Sequence, residues 1–313
     1  MVDVRKPSYL RLLESGELDD RIDRLYKILE SCELCGRRCR VNRLQGEKGV
    51  CRSGRDLIVS SYGPHFGEED PLVGVGGSGT IFLTNCNLLC LYCQNYEISH
   101  LGVGEARSES DVANYMIKLQ DRGCHNINFV TPTHFAPQLV KATKLAAEKG
   151  LRLPLVWNCG GYESVKVIEL LDGIVDIYMP DIKYSESEPA KRYSNAPDYF
   201  PVASEVVKEM HRQVGDLEMD ARGIAYRGLL IRHLVLPNDL AGTENVLRFI
   251  ADELSTESYV NIMSQYRPEG RAYQYPELNR HINSEEYKRA LSIAKSLGLT
   301  RGLEVKQFLR FTL

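Results

Sequence analysis

The chain has 313 residues, 43% of them hydrophobic and 26% charged, and a formal net charge of −3. This globular balance gives no electrostatic argument for nucleic acid or an acidic membrane surface. No apolar run approaches the ~20 residues of a membrane span, and the charged first segment, MVDVRKPSYLRLLESGELDD, lacks the apolar core of a signal peptide. A cytoplasmic protein is expected, with neither nucleic acid nor membrane as a partner.

Residues 20–31 carry Ile22, Leu25, Ile28 and Leu29 at helical spacing. Four cysteines follow within twenty residues. Residues 56–79 are rich in Gly, Pro and Asp and read as irregular connection. The segment GVGGSG at 74–79 matches a dinucleotide fingerprint but precedes a strand, whereas that mechanism needs a following helix N-terminus.

From residue 80 the pattern is regular. TIFLT predicts a strand. A helix follows with Val112, Tyr115, Met116 and Leu119 on one face, opened by a capping box of Ser108 and Asp111. NINFV, LPLVWN, IVDIYMP, LLIRHLVLP and SYVNIMS are the later strands. Helices over 137–150, 162–172, 203–214, 243–254 and 284–297 alternate with them. Six strand-then-helix units imply a parallel sheet, doubly wound or barrel-shaped. In both arrangements ligands bind at the carboxyl ends of the strands.

Seven of the nine cysteines lie between residues 32 and 93. An odd count and tight spacing point to metal rather than disulfides. Cys32, Cys35, Cys39 and Cys51 form a four-thiol set for zinc or an iron–sulfur cluster. The arginines around them, Arg37, Arg38, Arg40 and Arg43, read as a solvated basic loop that offsets thiolate charge. Cys86, Cys90 and Cys93 follow the first predicted strand, so they stand at the expected catalytic face. Three thiolates on a [4Fe–4S] cluster leave one iron open to a further ligand.

Cys86-x3-Cys90-x2-Cys93, with Tyr92 before the last cysteine, resembles the signature loop of the radical S-adenosylmethionine (SAM) superfamily. HFGEEDPLVG, NFVTPTHF, DIYMPDIKY, RHLVLP and NIMSQYRP extend the likeness to the PflX-type branch related to pyruvate formate-lyase activating enzymes. The resemblance implies a partial (β/α)6 TIM-like barrel with an N-terminal Cys-rich extension. The expected divisions are an extension over 1–75, a barrel over 76–300 and a tail over 301–313. It implies a [4Fe–4S] cluster, SAM, and a flavodoxin- or ferredoxin-type electron donor. The implied chemistry is reductive cleavage of SAM to a 5′-deoxyadenosyl radical that takes hydrogen from a substrate. A glycine on a partner protein is one target; a small molecule or another peptide is the alternative. An iron–sulfur carrier without chemistry, or a zinc-bound interaction module on an inactive barrel, are readings from other classes.

Asp181 and Lys183 match the Asp-x-Lys of activating enzymes in order and spacing, and Lys183 joins the three loop cysteines as a catalytic candidate. Arg232, on the fifth predicted strand, is expected at the SAM carboxylate, where a guanidinium fork suits. His233 points to the opposite face and reads as packing. The sequence departs from the family's Gly-Gly-Glu: FVTPTHF puts Thr131, Thr133 and His134 there, so backbone carbonyls and the threonine hydroxyls are the candidates for the SAM amine, with Thr131 and His134 among the expected cofactor contacts. Asn158, Gln265 and Tyr92 complete the expected cofactor contacts.

Overall fold

The structure, a computed structural model, describes residues 6–303. The tail expected from 301 lies outside the described residues beyond 303. Helices α1 (Tyr9–Ser15) and α2 (Glu17–Ile28) open the chain. The stripe read from the sequence is real: Ile22, Leu25 and Leu29 are buried in the main core, with Ile28 packed against it. Each such side chain contributes roughly 1.5–3 kcal/mol of transfer free energy. The extension therefore shares its core with the barrel.

Strand β1 (Leu57–His65) is the main correction to the sequence reading, which placed irregular chain over 56–79. It runs antiparallel to β2 (Ser78–Leu83), with a register shift between Val59 and Ser61. Its second neighbour is the short β3 (Glu105–Arg107), also antiparallel. Its apolar run is only Leu57–Val59, and the rest, SSYGPH, carries no alternation and is at most half-buried. An antiparallel strand near a sheet edge tolerates such partly solvated residues. Between β1 and β2 lies the short helix α3 (Asp70–Val73). The glycines of GVGGSG serve close packing here: a Cβ on Gly76 would collide with the Gly123 carbonyl.

After β2 come α4 (Tyr96–Ser99) and α5 (Glu109–Asp121), the latter opened by the expected Ser108–Asp111 capping box. Then follow β4 (Ile127–Val130), α6 (Ala136–Glu148), β5 (Leu155–Cys159), α7 (Val165–Leu170) and β6 (Ile177–Pro180). Helices α8 (Ser187–Ser194) and α9 (Tyr199–Val214) lead to β7 (Glu218–Met219) and β8 (Ala225–Leu234). The chain continues through α10 (Thr243–Glu253), β9 (Tyr259–Met263) and α11 (Ser284–Ser296).

Strands β2, β4, β5, β6, β8 and β9 are parallel in that order, which is the expected partial (β/α)6 barrel. Strand alternation divides their side chains. Leu229 and Ile231 join the core beneath the helices, whereas Leu230 joins an interior cluster with Val156, Ile177 and Met179. Leu72 of α3 enters that same cluster, so the β1–β2 connection plugs the barrel from within. By the same parity Arg232 faces the interior. His233 lies beneath α10, its ring nitrogens 2.7 Å from the Ile182 carbonyl and 3.0 Å from Thr243 Oγ1.

Candidate active site

The three-cysteine loop leaves the carboxyl end of β2. Asn85 and Leu89 take positive φ of 66° and 51°, which folds the loop back on itself. A left-handed leucine costs roughly 1–2 kcal/mol, a strain that clusters at functional sites. Each sulfur receives a donor. The Leu88 amide lies 3.4 Å from Cys86 Sγ, Ser194 Oγ 3.0 Å from Cys90 Sγ, and Ser99 Oγ 3.3 Å from Cys93 Sγ. Gly160 lies beneath: its Cβ would stand 2.6 Å from Leu88 Cδ1. The missing side chain at Gly160 therefore lets the cysteine loop pack directly on it.

A ring of charge lies at the neighbouring strand ends. Arg232 Nε donates to Asp181 Oδ1 at 2.7 Å, and Lys183 Nζ to Asp181 Oδ2 at 2.6 Å. Arg232 Nη2 donates to Asn158 Oδ1 at 2.7 Å. The four predicted residues thus form one network. Burial alone would raise the Asp181 carboxyl, but Arg232 and Lys183 outweigh it and hold it below the usual carboxylate range. Burial works against the Lys183 cation, but Asp181, joined by Cys90 when it is a thiolate, carries its pKa above the ordinary value.

Sequence reasoning missed Glu69. It comes from the plug, is buried, and reaches Arg232 Nη1 at 3.6 Å while accepting from Asn261 Nδ2 at 3.1 Å. Its Oε2 has no hydrogen-bond partner among the described residues. Burial raises its pKa, with Arg232 pulling the other way. The signal available in the sequence was two adjacent carboxylates, Glu68 and Glu69, inside an otherwise irregular stretch.

Other expected residues lie elsewhere. His134 is buried with its Nε2 2.8 Å from the Thr84 carbonyl, and its ring lines the cavity of the N-terminal cysteines rather than the charged ring. Burial lowers its pKa to about 3, so the imidazole is neutral. Thr133 donates to the buried Glu163 at 2.6 Å. Thr131 takes φ 60° at the end of β4, its amide bonded to the Asn158 carbonyl at 2.8 Å. The Tyr92 ring is buried edge-on against Tyr184 and Tyr266. Gln265 is exposed, and its carbonyl accepts from Gln94 Nε2 at 3.1 Å.

Cys32, Cys35, Cys39 and Cys51 line one cavity together with Arg37, Arg43 and His134. The fully buried Arg43 reaches Cys32 Sγ at 4.0 Å, and the Val50 amide lies 3.5 Å from Cys39 Sγ. Arg38, Arg40 and Arg52 take φ of 43°, 56° and 58° around it. No three His, Cys, Asp or Glu side chains among the described residues converge on a single metal-ion position. A cluster is held by sulfurs that stand apart from one another, so a cluster at either thiol set does not need that convergence, whereas a zinc ion at the N-terminal cysteines does.

A model of the Radical SAM superfamily matches residues 80–250, more than half of the chain. The chain belongs to the radical SAM superfamily. It is 34% identical over 300 residues to an uncharacterized protein of Methanocaldococcus jannaschii, covering 93% of this chain and 82% of that one. It is also similar to a radical SAM methyltransferase from Sphaerobacter thermophilus, at 14% identity and a TM-score of 0.48, over 71% of this chain and 65% of that one. For methylornithine synthase (PylB) the values are 12%, 0.45, 69% and 62%. The chain thus spans less than two thirds of the length of these two solved structures.

Membership of the radical SAM superfamily implies a [4Fe–4S] cluster and SAM, and the donor set fits both. Burial pushes the Cys86 thiol up to about 12, and it raises Cys90 against the pull of Lys183. Thiols in that state need a metal to deprotonate them, and each sulfur already has a hydrogen-bond donor in place. Asp181, Lys183 and Arg232 offer both signs of charge to a zwitterionic amino acid moiety. No helix among the described residues is long and apolar enough to cross a membrane.

Proposed function

We propose that this radical SAM enzyme cleaves SAM reductively and uses the 5′-deoxyadenosyl radical to take a hydrogen atom from its substrate. The observation that carries this reading is the Asp181–Lys183–Arg232–Asn158 network standing beside Cys90. Neither a carrier protein nor an inactive barrel needs such a cradle. Cys86, Cys90 and Cys93 would hold a [4Fe–4S] cluster, which would supply the reducing electron and a site for the methionyl group.

The chain's own residues bind and orient. Lys183 and Arg232 hold carboxylate and hydroxyl oxygens, with Asp181 fixing both cations in place. The unpartnered oxygen of Glu69 accepts from a cationic amine, the role for which Gly-Gly-Glu is missing. Thr131, Asn158, Gln265 and the Tyr92 segment of the loop are proposed further contacts of SAM. Cys32, Cys35, Cys39 and Cys51 are proposed to hold a second iron–sulfur cluster or zinc. All nine cysteines are unpaired, which supports a reducing, cytoplasmic setting and a flavodoxin- or ferredoxin-type donor.

For the hydrogen donor, the Asp-x-Lys pair and the PflX-type resemblance support a glycine Cα–H on a partner protein. Glu69 favours a second reading, a small amine-bearing substrate, because a buried carboxylate with a spare oxygen suits a compact cation. The test is anaerobic reconstitution, reduction with dithionite and addition of SAM. 5′-Deoxyadenosine is expected, and Cys90→Ala should abolish it. Reduced, cluster-loaded protein that forms none would overturn the proposal.

A further inference from the structure

The two cysteine sets are separate in sequence and chemistry, yet one side chain ties them together. Arg37 sits between Cys35 and Cys39 on the wall of the four-thiol cavity. Its guanidinium lies 5.3 Å over the Tyr162 ring. Nε donates to the Asn87 carbonyl at 2.8 Å, and Nη2 to those of Leu88 at 3.1 Å and Ser194 at 2.6 Å. Nη1 donates to the Asn195 carbonyl. Asn87 and Leu88 belong to the loop that carries Cys86 and Cys90. Ser194 is the residue whose hydroxyl meets Cys90 Sγ. A single guanidinium therefore fastens both sides of the Cys90 thiol.

Two further links run in parallel. The Tyr162 carbonyl accepts from Gly36 of the N-terminal cysteine segment at 3.3 Å and from Asn87 Nδ2 of the catalytic loop at 2.8 Å. His134 Nε2 donates to the Thr84 carbonyl, two residues before Cys86. Its Nδ1 is buried without a partner among the described residues, on a ring that lines the four-thiol cavity. The cysteine segment holds one short turn, Arg43–Gln45, and otherwise folds through scattered backbone bonds, among them Arg40 N to the Cys32 carbonyl and a bridge between Cys35 and Glu163, with Arg38 and Arg40 in left-handed conformation. Thiol coordination is what would give Arg37 a fixed base.

We propose that the N-terminal four-cysteine centre is the anchor from which Arg37 holds the catalytic loop, so that loading one centre strengthens retention of the other. This rests on the reading above that both cysteine sets bind metal. Arg37 is a positioning residue, and its planar fork matters because a lysine offers one point charge where four carbonyls must be met. Coupling between two sites is reciprocal, so loss of the catalytic cluster must loosen the N-terminal metal by the same factor.

The experiment uses the full chain, reconstituted anaerobically with iron and sulfide, with or without zinc. Iron, sulfide and zinc per chain are counted for the wild type and for a variant with Cys86, Cys90 and Cys93 changed to Ala. That variant reports the N-terminal centre alone and separates a cluster from zinc. The spectrum of the reduced cluster, shifted by SAM, identifies the catalytic centre, and its bleaching by a chelator gives its rate of loss. Arg37→Gln should keep the N-terminal metal yet lose the catalytic cluster about tenfold faster, the usual scale for outer-shell partners. Cys39→Ser should accelerate that loss similarly. Arg37→Lys, the milder change should Arg37→Gln fail to fold, is expected between wild type and Arg37→Gln. Unchanged catalytic-cluster retention in either Arg37 variant, with the N-terminal metal present, overturns the coupling. A wild type holding no metal beyond the catalytic cluster overturns the metal reading and the coupling with it.

Discussion

Arg232 and Asp181 meet at 2.7 Å, guanidinium Nε to carboxylate Oδ1, across the carboxyl ends of neighbouring parallel strands. The isolated bridge between their backbones sets the register, so the pair is built by the sheet itself. Lys183 then reaches the second oxygen of Asp181, so each carboxylate oxygen has a cationic partner and both cations keep donors to spare.

Lys183→Ala removes one of those cations and leaves Asp181 paired to Arg232. Charged hydrogen bonds contribute roughly 1.5–3 kcal/mol, so SAM affinity should fall about 10- to 150-fold. Calorimetric titration of the cluster-loaded protein measures it. Affinity within a factor of two of wild type would reduce Lys183 to a structural ion-pair partner.

Glu69→Gln separates stability from binding. Its buried carboxylate has a raised pKa, caused first by burial, so neutralising it should leave folding stability within ~1 kcal/mol of wild type. SAM binding should nonetheless weaken about tenfold if Glu69 meets the cationic amine, a loss of ~1.4 kcal/mol. Denaturant unfolding and SAM titration on the same preparation decide it. Equal affinity would move Glu69 from the SAM site to the substrate or to the barrel's own packing.

Ser194→Ala removes the hydroxyl 3.0 Å from Cys90 Sγ. A donor to a cluster sulfur stabilises the more negative, reduced state. Losing about 1 kcal/mol should lower the one-electron potential by roughly 40 mV. Anaerobic redox titration reads the shift, and an unmoved potential would show that the hydroxyl serves packing alone.

Asp176 sets a pH dependence of folding. It accepts from the amides of Ser8 at 2.8 Å and Leu155 at 3.0 Å, yet burial pushes its carboxyl up to about 6. The unfolded value is about 3.9. The native state therefore binds more protons between these values, and stability falls as pH rises through that window. The cost is absent below about pH 4 and complete above about pH 6, roughly 3 kcal/mol in all. Asp176→Asn should lower stability at pH 4, where its amide faces a backbone donor, and flatten the descent towards pH 7. Parallel wild-type and variant unfolding curves across pH 4–7 would refute the assignment.

The six parallel strands were legible because each is a short, largely apolar run, as in IVDIYMP and LLIRHLVLP. Asn158 drew notice as a polar residue closing such a run, Asp181 and Lys183 as an Asp-x-Lys pair after one, and Arg232 as a charge within one. Strand β1 was not, since Ser60, Ser61, Gly63 and Pro64 carry no apolar alternation and owe their pairing to β2. Glu69 and Arg37 were hidden differently. Both are charged residues in stretches that look solvated, and only the folded chain buries one against Arg232 and lays the other on the carbonyls of a distant loop. His134 was expected at the site because FVTPTHF stands where the family carries Gly-Gly-Glu, whereas its ring turns towards the cysteine cavity.

Glu69 and Leu72 reach the lumen from a connection rather than from a strand. Lengthening or rewriting a connection leaves every ladder of the sheet in register. Lineages sharing this scaffold can therefore change the charge and volume at the heart of the barrel within one short segment, while the cysteines, the strands and their order are inherited intact.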